Sequence, residues 1–253
     1  MAWVIDLDGV VWRGGDLIPG SPEAVARLRD AGEQVLFVTN NSEPRVSDQE
    51  AKLASFGIDA EGAVVTSALA AASMLEPDST ALACGGPGVI EALERRGITV
   101  RREAPVDTVV VGFHRHFDYE GLRAAHHAVW KGARLLGTNA DATYPSADGP
   151  IPGAGSILAA VATAAGVEPE VAGKPFEAII ALVQAEVGEG NHIVVGDRAS
   201  TDGKLAAGLG ARFALVMSGV TSPDDPPSEP EPDLVADDLA SLVDAELGPQ
   251  APQ

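Results

Sequence analysis

Several short runs of this chain are apolar almost without interruption: "WVI" at 3–5, "VLFV" at 35–38, "VVV" at 109–111, "IVV" at 193–195 and "FALV" at 213–216. A strand with one wet face alternates apolar and polar residues, whereas a strand buried on both faces does not. Between these runs lie amphipathic or Ala-rich segments of helical length. That pattern restricts the chain to an α/β fold, a mostly parallel, Rossmann-like sheet with helices on both faces. Strands are predicted over 2–6, 35–39, 107–112, 133–137, 192–196 and 211–216, with shorter ones at 62–66, 80–84 and 233–236. Helices are predicted over 21–31, 47–56, 67–75, 87–96, 118–131, 154–165, 175–187, 201–209 and 237–246, several with a glycine just past the last turn.

The length, 253 residues, suits one large domain or two smaller ones. Aromatic residues are only 4 %, so the core must be built from Ala, Val, Leu and Ile. The net charge of −20 argues against a nucleic-acid or membrane partner, because such a surface repels polyanions. Cys84 is the single cysteine, which precludes an internal disulfide and reads as a small core residue. With no leader-like segment ahead of Asp6, the expected location is the cytoplasm. Residues 149–167 carry no charge, but two prolines and many Ala and Gly make them a poor membrane span. "SPDDPPSEPEP" at 222–232 is a loop by composition.

The first strand runs straight into Asp6 and Asp8. Ligands of an open α/β sheet bind beyond the carboxyl ends of its strands. Residues two apart in extended chain point the same way, so both carboxylates face one spot. Their repulsion is relieved by a hard cation, or by one carboxyl keeping a proton for acid–base work. Alone, the pair is equally well explained as a loop cap and a solvated acid. Three other segments add to it. The second strand ends in Thr39, Asn40, Asn41 and Ser42, a set of hydroxyl and amide donors. "GKP" places Lys174, one of four lysines, just before a helix. "GDRASTD" puts Asp197, Arg198 and Asp202 directly after another strand. Each has a plain alternative in turn or capping chemistry or in solvation. Together they present acids, donors and a cation at successive strand ends, which is what a phosphate and a divalent cation require.

The set "DLDGVVW", "TNNS", "GKP" and "GDRASTD" resembles the four motifs of haloacid dehalogenase-superfamily phosphatases. "TNADATYP…PGAGS" (138–156) is similar to the cap of their para-nitrophenyl phosphatase-like branch. The resemblance runs from residue 4 to about 240. It implies a Mg²⁺-dependent hydrolysis of a small-molecule phosphate ester. Asp6 is then the nucleophile and Asp8 the general acid and base. Asp6, the Asp8 carbonyl and Asp197 hold the metal. Thr39, Asn40 and Lys174 bind phosphate, and Asp202 and Arg198 give support. A large α/β cap inserted at 68–168 is implied between core segments 1–67 and 169–253, with a homodimer formed through the cap a further implication.

Substrate choice is expected in the cap segments "GFHRHF" (112–117) and "NADATYPSADG" (139–149), with His114, Arg115 and Tyr144 as candidates, although a solvated loop explains the first as well. His114 departs from the aspartate usual in the branch. Trp12 reads either as a lining of the entrance or as a packed aromatic. His126 and His127 read as packing or surface residues. Two other classes share these motifs: a phosphotransferase or mutase using the same aspartyl phosphate, and a non-catalytic phosphate-binding regulatory domain. A switch has no use for Asp8 as a water-activating base, and a dehalogenase has no use for a second acid.

Overall fold

The computed structural model describes residues 1–146, 149–221 and 229–248. Most of the 222–232 loop segment therefore lies outside the described residues, as do 147–148.

The apolar runs form two parallel sheets. In the larger, six strands lie in the order Leu234–Ala236, Arg212–Val216, His192–Gly196, Ala2–Asp6, Gln34–Thr39 and Val64–Thr66, with every neighbouring pair parallel. The first strand sits inside this sheet, with Ile5 opposite Val195 on one side and Phe37 on the other. Because all six run the same way, Asp6, Thr39, Thr66 and Gly196 finish at one edge. Side chains alternate between faces along each strand. Trp3, Ile5, Phe37, Ile193 and Val195 join an apolar cluster with helices Ser21–Asp30 and Leu239–Leu247. Val4, Leu36, Val38, Val194 and Leu215 pack on the other face against helices Glu177–Val187 and Lys204–Leu209. Burial on both faces is why these strands carry no polar alternation.

The smaller sheet has the order Glu170–Val171, Arg134–Gly137, Thr108–Val111, Thr80–Cys84 and Thr99–Arg101, also all parallel. One of its faces, with Ala81, Val110 and Leu136, shares an apolar cluster with the larger sheet, and the alanines of helix Ser67–Ser73 form part of the join. Its other face, with Leu82, Cys84, Val109 and Leu135, is covered by helices Tyr119–Trp130 and Ala154–Ala165. The second of these occupies most of the uncharged 149–167 stretch and is 12 residues long. Among the described residues no helix is long and apolar enough to cross a membrane.

The two sheets meet around the loop after strand Gln34–Thr39. Ser42 is fully buried, and its Oγ accepts the Phe113 N–H at 3.1 Å and the Thr138 hydroxyl at 3.0 Å. The Gly88 N–H donates to the Glu43 carbonyl at 2.9 Å. A Cβ at Gly88 would lie 2.1 Å from the Pro44 carbonyl oxygen, so only glycine lets helix Pro87–Arg95 dock this closely.

The structure adds elements that the pattern missed. The segment expected as a loop around 139–149 contains a hairpin, Thr143–Ser146 paired with Gly149–Pro152. Pro145, Pro150 and Pro152 hide the strand signal, and an isolated two-stranded ribbon tolerates them because it has free edges. Trp12–Arg13 with Asp16–Leu17, Thr99–Arg101 and Glu170–Val171 are too short to register as strands. The helix expected over 201–209 begins earlier, as a π-helical turn at Ala199–Gly203.

Gly88→Ala forces the docked helix away from residues 42–44. It is expected to lower stability by about 1–3 kcal/mol, the usual cost of overpacking, measured by urea unfolding.

Candidate active site

The shared sheet edge concentrates charge. Lys174 lies ahead of helix Glu177–Val187 and is 3 % exposed. Its Nζ is 2.6 Å from Asp202 Oδ1 and 2.9 Å from Asp6 Oδ1, and donates to the Val38 carbonyl at 3.4 Å. The π-helical turn brings Asp202 back to its own start, where Oδ2 accepts the Arg198 N–H at 3.2 Å. Local π geometry of this kind recurs at functional sites. Oxygens of Asp6, Asp197 and Asp202 all lie within 4.8 Å of one another. Three carboxylates and one ammonium leave a charge of −3 + 1 = −2 at this cluster.

Burial and the surrounding charges act together on Asp6, Asp197 and Lys174. Burial holds the Asp6 carboxyl well above its ordinary range; Lys174 opposes this, and Asp202 and Asp197 add to it. Burial, then Asp202, pushes Asp197 up to about 6, against the Val220 N–H that Oδ2 accepts at 2.6 Å. Burial works to discharge Lys174, but Asp202 and Asp6 outweigh it and raise its pKa. The effect is mutual: Asp202 and Asp6 favour the charged lysine, and the lysine opposes the burial that raises the Asp6 carboxyl.

Asp8 stands apart from this cluster. Its Oδ1 accepts the Trp12 indole N–H and the Tyr144 hydroxyl, both at 3.0 Å. Burial raises its pKa and these two hydrogen bonds oppose the rise. Thr39 is buried beside it, with Oγ1 accepting the Asn41 N–H at 3.0 Å. Asn40 is engaged structurally. Its Oδ1 accepts the Lys174 N–H at 2.8 Å, and its Nδ2 donates to the Lys174 carbonyl at 3.2 Å and Asp141 Oδ2 at 2.9 Å. The amide expected to grip phosphate therefore anchors the main chain of the lysine. Arg198 lines the same cleft as Asp6, Asp8, Thr39, Asn40, Tyr144, Lys174 and Asp197.

The structure does not bring His114 or Arg115 into this cleft. His114 lines a separate hollow with Arg101, Arg102 and His116. Arg115 is exposed and paired with Glu43 at 3.3 Å. Their neighbour Phe113 turns inward instead, stacking on Tyr144 with centroids 5.2 Å apart. Sequence left Trp12 undecided and did not single out Asp141, Thr201 or Val220, which also line the cleft or contact its acids. Val220 acts through its main chain, and no side-chain signal could have found it.

A family model described as haloacid dehalogenase-like hydrolase matches residues 3–99, and a second, HAD-hydrolase-like, matches residues 171–242. The acid sugar phosphatase of Staphylococcus haemolyticus is 36 % identical over 226 residues, which is 87 % of this chain and 86 % of the relative. The chain belongs to the haloacid dehalogenase-like hydrolases. Two solved structures of similar architecture are the p-nitrophenyl phosphatase from Archaeoglobus fulgidus and a glycerol phosphate phosphatase from Mycobacterium tuberculosis in complex with magnesium. The first has a TM-score of 0.89 at 31 % identity, covering 96 % of this chain and 98 % of that one. The second has a TM-score of 0.89 at 34 % identity, covering 100 % of this chain and 79 % of that one. This haloacid dehalogenase-like hydrolase is a phosphatase.

The residues of the hydrolase fit a divalent hard cation. The donors are carboxylate oxygens, and the surplus charge of −2 matches such an ion. Both Asp202 oxygens are engaged, by Lys174 on one side and by the Arg198 N–H and Thr201 hydroxyl on the other. The carboxylates with an oxygen to offer are therefore Asp6 and Asp197. A Cβ at Gly219 would lie 1.9 Å from Asp197 Oδ2, so glycine is what lets the Val220 N–H reach that oxygen.

The raised pKa of Asp197 fixes the sign of a pH effect. The folded chain holds this proton more tightly than the unfolded chain does. Its contribution to stability is therefore fully present below the ordinary 3.8 and is lost as pH rises through about 6. In EDTA, Asp197→Asn is expected to melt higher than wild type at pH 7, with the gap closing towards pH 4. Saturating Mg²⁺ should raise the wild type alone. Thermal melts across that range measure both effects.

Proposed function

We propose that this phosphatase hydrolyses a small phosphomonoester through a covalent intermediate on Asp6. The single observation that carries the reading is the buried Lys174 bridging Asp6 and Asp202 at the sheet edge, with Asp8 bound elsewhere. The two carboxyls at the end of the first strand then have separate tasks. A nucleophile must be ionised, and Lys174 favours that form of Asp6 against burial, to which a bound cation would add. Asp8, with a raised pKa and no lysine contact, is suited to hold a proton.

In the first step an Asp6 oxygen attacks phosphorus. The bond to the leaving oxygen breaks, its electron pair stays with that oxygen, and the oxygen takes the Asp8 proton. In the second, Asp8 accepts a proton from the water that attacks the aspartyl phosphate, returning Asp6 as a carboxylate and releasing inorganic phosphate. Mg²⁺, held by Asp6, Asp197 and the Asp8 carbonyl, would neutralise phosphoryl charge and orient the phosphate. Lys174 and Thr39 bind phosphoryl oxygens. Asn40 fixes Lys174 by its main chain, and Asp202, held by the Arg198 N–H, fixes its ammonium. The roles rest on charge placement, which dominates phosphoryl transfer.

The names of the relatives, an acid sugar phosphatase, a p-nitrophenyl phosphatase and a glycerol phosphate phosphatase, support a small phosphomonoester as the substrate class. Residues 1–67 and 169–253 are proposed as the catalytic core. Residues 68–168 are proposed as a cap that closes over it, with the strand Glu170–Val171 attached to the cap sheet at the boundary.

Phosphate release from a panel of phosphomonoesters is expected to require Mg²⁺ and to stop in EDTA. Asp6→Asn should lower kcat by more than about a thousandfold while keeping a cooperative thermal melt. Lys174→Met should lower it by about a hundredfold or more. Turnover that survives Asp6→Asn contradicts the covalent route.

A further inference from the structure

Asp8 receives two donors, and both arrive at the same oxygen. Trp12 Nε1–H comes from the strand just after the catalytic turn, and the Tyr144 hydroxyl comes from the hairpin Thr143–Ser146/Gly149–Pro152. The direction of the second bond is fixed by its neighbours. Asn41 Oδ1 accepts the Glu43 N–H at 3.1 Å, which sets the orientation of that amide. Asn41 Nδ2, which has no lone pair to offer, then donates to the Tyr144 oxygen at 3.2 Å. The phenol has one proton, and it goes to Asp8 Oδ1. With Oδ1 accepting twice, a proton carried by Asp8 must sit on Oδ2.

Both donors are themselves held. Tyr144 stacks on Phe113 with an interplanar angle of 26°, and Phe113 is tied through its N–H to the buried Ser42. Trp12 is 2 % exposed, and Lys52 Nζ lies 3.8 Å from its ring centroid. A cation over an indole face is a favourable contact that resists ring rotation.

We propose that Trp12 and Tyr144 are paired positioning residues that lock the Asp8 carboxyl with Oδ2 as its proton-carrying oxygen, one from the core and one from the inserted unit. Tyr144 lies outside both family-model segments, 3–99 and 171–242. Seating its hairpin would therefore complete the acid and cover the cleft in one movement, tying proton donation to exclusion of solvent. The inference rests on the reading of Asp8 as general acid.

Leaving-group dependence tests it. An alkoxide must be protonated as it departs, whereas p-nitrophenolate leaves without help, so a displaced acid harms the first reaction and spares the second. The ratio of kcat/KM for glycerol phosphate to that for p-nitrophenyl phosphate reports this step, since both esters form the same phosphorylated Asp6. Asp8→Asn is the reference and should lower the ratio by about a hundredfold or more. Tyr144→Phe keeps the stacking surface and should lower the ratio by about tenfold. Trp12→Phe, checked for folding by its thermal melt, should act in the same direction. An equal loss on both esters for Tyr144→Phe, a rise in KM on both, or no change while Asp8→Asn discriminates, overturns the positioning role. No discrimination by Asp8→Asn overturns the assignment of Asp8 and the inference with it.

Discussion

The ammonium of Lys174, buried between Asp6 and Asp202 at 2.9 and 2.6 Å, is the contact on which the catalytic edge depends. A lysine is rarely buried unpaired, because desolvating its charge is costly. Here the cost is offset by two carboxylates, and the lysine in turn opposes the burial that raises the Asp6 pKa. The offset is incomplete, since a third acid, Asp197, leaves a surplus of two negative charges. A divalent cation would complete it. The same imbalance that destabilises the metal-free protein gives it affinity for the ion that the proposed chemistry needs.

Holding that arrangement requires parts from distant stretches of chain. Strands Ala2–Asp6, Gln34–Thr39 and His192–Gly196 supply Asp6, Thr39 and Asp197 at a common edge because they are parallel and adjacent. The π-helical turn at Ala199–Gly203 supplies Asp202. Asn40 then links two of these parts, bonding both the N–H and the carbonyl of Lys174, while its own carbonyl accepts Ser67 Oγ and Asn139 Nδ2 at 2.6 Å each. The loop that carries Asn40 is the one gripped by the smaller sheet through Ser42 and Glu43. The edge that carries Asp6 and Lys174 and the smaller sheet are thus joined by one short segment.

The fold was legible because it follows from a strong signal. Strands buried on both faces are written as apolar runs, and the runs at 2–6 and 192–196 match strands Ala2–Asp6 and His192–Gly196 end to end. What escaped was irregular or short. The prolines of the 143–152 hairpin erase strand periodicity, and the π-helical turn has no sequence pattern of its own. At the site, Asp6, Asp8, Asp197, Asp202 and Lys174 were legible as charged residues at strand or helix ends, where a parallel sheet collects ligand-binding groups. Their division of labour was not. Asn40 bonds Lys174, Asp202 has no free oxygen, and Trp12 donates to Asp8; all three are facts of distance. His114 was singled out by residue type, whereas the chain turns Phe113 inward to the cleft and places His114 at a separate hollow.

The central claim is that the charge left over by Lys174 is balanced by one divalent cation shared between the start of the chain and the residue after strand His192–Gly196. Crystals grown with Mn²⁺ test it most directly, through the anomalous scattering of the metal. One strong peak is expected, bonded to Asp6 and Asp197, with Asp202 remaining on Lys174. Absence of a peak at these carboxylates under saturating Mn²⁺, or a peak bonded to Asp202 with Lys174 displaced, would contradict the account.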